Sequence, residues 1–126
     1  MSQANTVISV VDDDRSMARM LCRVINAEGF DVRWFGSAEE FLDSGRFEDN
    51  GCLILDVNLP GISGIDLQQH LNDSGLEIPI LFVSAQGDDA LRQRALNAGA
   101  AGFFNKPLSI EALLASIRSV VALSVS

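Results

Sequence analysis

"CLILDVNLPGISG", residues 52–64, carries the pattern from which the fold can be read. Its first four residues are apolar without interruption and run into Asp56. A strand buried on both faces reads this way, because a parallel sheet covered by helices has no polar side. "LPGISG" (59–64) is a loop, rich in the residues that punctuate regular structure. A helical pattern with Ile65, Leu67 and Leu71 follows it.

The same strand-then-helix unit recurs on both sides. Upstream, Val7–Val11 is a short apolar run broken only by Ser9, and residues 16–27 carry Met17, Met20, Leu21, Val24 and Ile25 at helical spacing, with Gly29 closing the helix. Residues 31–35, "DVRWF", alternate as a strand; Ser37 and Glu40 then form a capping box for a short helix to about Leu42. Downstream, "PILFVS" (79–84) predicts a fourth strand, with Pro79 at its start where a missing N–H is tolerated. A helix over 90–98, closed by Gly99, and a fifth strand "GFFN" (102–105) follow. Ser109 caps a last helix with Ile110, Leu113, Leu114, Ile117, Val120 and Val121 on its apolar stripe. Five alternations at this spacing imply an α/β fold: a doubly wound, five-stranded parallel sheet with right-handed crossovers and five helices on its two faces.

The 126 residues fit one domain, with a core expected over about 7–123 and no second domain or linker in the chain. A net charge of −8 opposes gripping nucleic acid directly, since phosphate backbones require the opposite sign. No stretch is long enough to span a bilayer, and the N-terminus has no signal-peptide pattern, so a cytoplasmic chain is expected. Cys22 and Cys52 lie in apolar runs without metal-ligand spacing and read as small buried hydrophobes.

In a parallel sheet of this kind, ligands bind outside the carboxyl ends of the strands. Strand one delivers Asp12 and Asp13 there, strand three Asp56, strand four Ser84, and Lys106, followed by Pro107, lies just beyond strand five. Adjacent carboxylates raise one another's pKa and need compensation. Three carboxylates suit a hard divalent cation such as Mg2+, and one ammonium nearly completes the charge balance. Metal, lysine, hydroxyl and a further carboxylate are the equipment of phosphoryl transfer, in which a carboxylate can itself be the nucleophile.

"VVDDD", "LILDVNLPGISG", "FVSA" and "FFNKP", in this order and at this spacing, resemble the response-regulator receiver domains of the CheY-like superfamily, from about Val7 to Leu123. "DVNLPGISG", "SAQGD" and "GAAGFFNKPL" look like the FixJ-like branch (LuxR-class transcriptional regulators), whose members often carry a C-terminal DNA-binding output domain. The resemblance implies a flavodoxin-like/CheY-like strand order of 2-1-3-4-5 and no activity on external substrates beyond the domain's own phosphorylation and dephosphorylation. By position it makes Asp56 the phosphoacceptor for a phosphohistidine of a sensor histidine kinase. It makes Asp13, Asp56 and the backbone carbonyl of Asn58 ligands of Mg2+, with Asp12 acting largely through metal-bound water. Lys106 and Ser84 would bind the phosphoryl group, the Lys106–Pro107 peptide would be cis, and Ser84 and Phe103 would be the switch pair. Asn58 and Gln86 would tune dephosphorylation. The expected readout is a changed face of helix four, strand five and helix five that controls homodimerisation or an output domain not in this chain. Ser84 stands where threonine is commoner and Phe103 where tyrosine is frequent, which removes a phenolic hydrogen-bonding handle.

Two rival functions remain open at this level: a Mg2+-dependent phosphatase with an aspartyl nucleophile, and a phosphate-independent interaction module on the same fold. The first resembles D-x-D near the first strand, whereas this chain has "DVN" at the third. A flavin site is disfavoured, because three aspartates in the first loop would repel a phosphate. For single residues the plainer readings are a helix-start role for Asp14, Asp88 and Asp89, a solvated His70, core packing for Trp34 and Phe35, and opposite-facing rings for Phe103 and Phe104 with one of them in the core.

Overall fold

The computed structural model describes residues 6–47, 49–85 and 89–125, with side chains to residue 122. Five strands and five helices alternate: β1 (Val7–Val11), α1 (Arg15–Ala27), β2 (Asp31–Phe35), α2 (Ala38–Ser44), β3 (Asn50–Asp56), α3 (Gly64–Asp73), β4 (Ile80–Ser84), α4 (Asp89–Asn97), β5 (Gly102–Asn105) and α5 (Ile110–Val125). All pairings are parallel, in the order β2-β1-β3-β4-β5.

The uninterrupted apolar strands have a simple cause. Successive side chains of a strand face opposite ways, and this sheet has a core on each side. Leu53, Leu55, Ile80 and Phe82 pack on one face against Phe41 of α2, Leu67 and Leu71 of α3 and Ala95 of α4. Ile8, Val10, Cys52, Ile54, Leu81 and Val83 pack on the other against Ala18, Leu21 and Ile25 of α1 and Leu113 and Ile117 of α5. Both faces are dry, so both side-chain phases of the central strands must be apolar.

The helix starts follow the capping residues. The Asp14 carboxylate accepts from Met17 N at 3.2 Å, Ser37 Oγ from Glu40 N at 3.1 Å, and Ser109 Oγ from Ala112 N at 3.2 Å. Asp89 lies in the first turn of α4, whereas Asp88 is outside the described residues. At the far end of α2, Gly45 takes a left-handed conformation (φ 64°) that closes the helix. No helix among the described residues is long and apolar enough to cross a membrane.

Three details differ from the sequence expectation. β3 begins at Asn50, two residues before the apolar run, because the Asn50 side chain is satisfied by the main-chain carbonyls of Arg46 and Phe47 and by Ser9 Oγ. Trp34 is not in the core: β2 is an edge strand and the indole is 39% exposed, while Phe35 packs inward against Phe41 with centroids 5.3 Å apart. Phe103 and Phe104 do face opposite sides, yet both are half-buried, each against its own core.

Candidate phosphoacceptor site

The register of the sheet places the site. Val11 pairs with Leu55, Asp56 with Val83, and Ser84 with Asn105, so β1, β3, β4 and β5 end at one edge. Asp12 and Asp13 leave β1 there, Asp56 closes β3, Ser84 closes β4, and Lys106 follows β5. Among the described residues, Asp12, Asp13 and Asp56 can each offer a carboxylate oxygen, all within 4.8 Å of one another. Ser84 is fully buried and Lys106 half-buried. The Lys106 main-chain N–H donates to the Ser84 carbonyl at 2.8 Å, and the Lys106–Pro107 peptide is cis as expected.

Each buried carboxylate is fixed by the main chain. Asp12 Oδ1 accepts from Asp14 N at 2.8 Å, and Asp56 Oδ1 accepts from Asn58 N at 3.0 Å. The Asp12 backbone is tied as well: its N–H donates to the Phe35 carbonyl at 3.1 Å and its carbonyl accepts from Trp34 Nε1 at 2.8 Å. Gly64, the first residue of α3, lets the helix start lie against Asp56. A Cβ there would run into the Asp56 carbonyl oxygen and sit 3.0 Å from Val57 Cα.

The electrostatics are those of a site made for a cation. Burial pushes the Asp12 carboxyl up to about 6, and the Asp56 charge adds to the rise; the Asp14 N–H and the Lys106 ammonium oppose it. Burial also raises the Asp56 carboxyl, against the Asn58 N–H and Lys106. One lysine therefore compensates the cluster only in part. A hard divalent cation fits the all-oxygen donor set and supplies the missing positive charge.

The structure brings Asp12, Asp13, Asp56, Ser84 and Lys106 to one edge and leaves Asn58 exposed in the loop just after Asp56. Phe103 lies one strand away, its ring centroid 6.0 Å from that of Phe82. Gln86 lies outside the described residues. Sequence reasoning missed two contributors. Trp34 anchors the Asp12 carbonyl from the neighbouring strand. Glu39 of α2 accepts from Ile62 N at 3.1 Å and so braces the loop after Asp56. Neither has a local sequence signal, since both act across long separations.

Comparison with known proteins agrees with this geometry. Residues 8–118 match the family described as response regulator receiver domain, and the chain belongs to that family, a class of signalling domains. It is 40% identical over 124 residues to the response regulator protein TodT of Pseudomonas putida, covering 98% of this chain and 55% of that protein. It is also 40% identical over 121 residues to the transcriptional regulatory protein TdiR of Thauera aromatica, covering 96% and 53%. Among solved structures it is similar to the response regulator StyR, with a TM-score of 0.88 and 41% identity over 94% of this chain and 60% of that one. The chain thus spans about half the length of the curated relatives it matches.

Proposed function

We propose that this chain is the phosphoaccepting half of a transcriptional response regulator, with Asp56 as the acceptor. The observation that carries this reading is the meeting of Asp12, Asp13 and Asp56 at the sheet edge where Ser84 and Lys106 also end. Asp13, Asp56 and the main-chain carbonyl of Asn58 would hold Mg2+, with Asp12 acting chiefly through its water. When bound, that ion supplies charge neutralisation for the phosphoryl oxygens.

The chain's own residues do the rest. The Asn58 N–H orients the Asp56 carboxylate. An Asp56 oxygen attacks phosphorus in line; the P–N bond of a kinase phosphohistidine breaks, and the imidazole leaves and takes up a proton. The Lys106 ammonium pairs with a phosphoryl oxygen, and the Ser84 hydroxyl donates to another. Repositioning of Ser84 gives room for Phe103, already packed beside Phe82, to move further inward, which alters the face made by α4, β5 and α5. The phosphoryl group need only favour one of two existing states.

The partners in this reading are a sensor histidine kinase, a second copy of the domain, and a DNA-binding output domain, with the relay working in the cytoplasm. Asn58 and Gln86 would set the rate at which water reaches the phosphoryl group. Intact mass after incubation with Mg2+ and acetyl phosphate tests the proposal. One phosphoryl group should be gained, and the gain should vanish in Asp56→Asn and in EDTA. A gain that survives Asp56→Asn would overturn it.

A further inference from the structure

A groove of about 390 Å3 opens between α1 and the edge strand β2, and its lining includes none of the clustered carboxylates. Val32, Cys22 and the exposed Trp34 form its apolar part, and Arg19 and Arg23 form its rim. The indole is not a loose surface ring, because Nε1 is hydrogen-bonded to the Asp12 carbonyl. Its apolar face is therefore held in place before anything binds.

The charge around the groove runs against the rest of the molecule. The chain carries −8, yet α1 contains no acidic residue and three arginines, Arg15, Arg19 and Arg23, four residues apart along one exposed side. Among the described residues the ion pairs are Arg33–Asp49 and Arg118–Glu28, and none of these three guanidiniums takes part in them. Tryptophan and arginine are the residues most enriched at the energetic centres of protein interfaces. A guanidinium also matches a carboxylate bidentately. A positive stripe beside a preorganised apolar pocket is complementary to a partner segment that is itself apolar and acidic.

We propose that the α1–β2 groove docks an acidic amphipathic segment of a partner protein. An apolar side chain of that segment rests on Trp34 and Val32, and its carboxylates pair with Arg19 and Arg23. The repulsion of the remaining surface for an acidic chain makes the stripe selective in position as well as in charge. A nucleic acid would meet the same arginines, but it would bring a long run of phosphates against the negative remainder of the domain, which disfavours it.

Fluorescence anisotropy tests this with a panel of labelled peptides in which glutamates are fixed and the apolar anchor is leucine, phenylalanine or tryptophan. At least one should bind saturably, and less tightly as salt rises. An all-glutamate peptide and the corresponding lysine peptides should bind far more weakly. Arg19→Glu with Arg23→Glu should weaken binding about tenfold or more, whereas Arg92→Glu on α4 should leave it unchanged. Trp34→Phe, which keeps a ring but loses the Nε1 anchor, and Trp34→Ala should each weaken it; thermal melts confirm that the variants are folded. Amide shifts should cluster on α1 and β2. Absence of saturable binding across the panel, binding indifferent to the Arg19 and Arg23 reversals, or capture of a single-stranded oligonucleotide in preference to every peptide would each overturn the proposal.

Discussion

The indole Nε1 of Trp34 donates a 2.8 Å hydrogen bond to the main-chain carbonyl of Asp12. The chain has one tryptophan, and it is attached directly to the backbone of a residue in the carboxylate cluster. Cation binding that shifts Asp12 therefore alters the surroundings of the indole. Titration with Mg2+ should give a saturable change in tryptophan fluorescence. The change should be absent in Asp13→Asn and Asp56→Asn, each of which removes one of the three carboxylates. An identical titration in those variants would show that the ion acts elsewhere.

Metal-free stability should depend on pH in a direction set by Asp12. Its carboxyl sits at about 6 in the fold, against 3.8 for the ordinary group. Between those values the folded chain holds a proton that the unfolded chain has lost. The Asp12 contribution to stability in EDTA is thus fully present below the lower value, is lost as pH rises through that window, and is gone at neutrality, an amount on the order of 3 kcal/mol. Urea denaturation in EDTA at pH 5 and pH 7 should show about half of that fall, roughly 1 kcal/mol. Added Mg2+ should restore stability at pH 7 through its preference for the folded, ionised cluster.

Much of this architecture was legible in the sequence because the relevant forces are local or periodic. Uninterrupted apolar runs marked strands covered on both faces, and Ser37, Asp14 and Ser109 marked helix starts through their side-chain oxygens. The meeting of Asp12, Asp13, Asp56, Ser84 and Lys106 followed from parallel strand direction alone. The strand order came from the family resemblance, since alternation does not say which strand is at the edge. The exposure of Trp34 escaped even so: period-two spacing gives it the same face as Val32 but does not say how far a side chain near the end of an edge strand is covered. The start of β3 escaped because Asn50–Gly51 has the composition of a turn, and the partner that ties Asn50 to the sheet, Ser9 of β1, is distant in sequence.

The two cysteines should differ sharply in reactivity. Cys52 is fully buried in β3, and burial pushes its thiol up to about 12. Cys22 is half-buried beside the α1–β2 groove, and burial raises it too. A thiol reagent at pH 8 should modify Cys22 slowly in the native domain and both residues after denaturation. Rapid labelling of Cys52 in the native protein would mean that β3 opens.

Helix α4 and the turn that follows it are held to α3 by two side-chain amides. Gln68 Nε2 donates to the Ala95 carbonyl and Asn72 Nδ2 to the Ala98 carbonyl, each at 3.0 Å. Gln68 is buried, and α4 itself buries only Ala95 among its residues. Gln68→Leu should therefore cost about 1 kcal/mol, because the Ala95 carbonyl loses one of two donors and keeps the Ala100 N–H at 3.1 Å, while Asn72→Ala, at an exposed bond, should cost about 0.5 kcal/mol or less. Denaturant midpoints of the two variants check the ranking.

The central claim is that Asp56 is the residue phosphorylated. Borohydride reduces an acyl phosphate on an aspartate to homoserine, which peptide mapping locates by mass. After acetyl phosphate and Mg2+, position 56 should carry homoserine and positions 12 and 13 should remain aspartate. Homoserine at position 12 or 13, or a phosphorylated protein with no homoserine at all, would contradict the account.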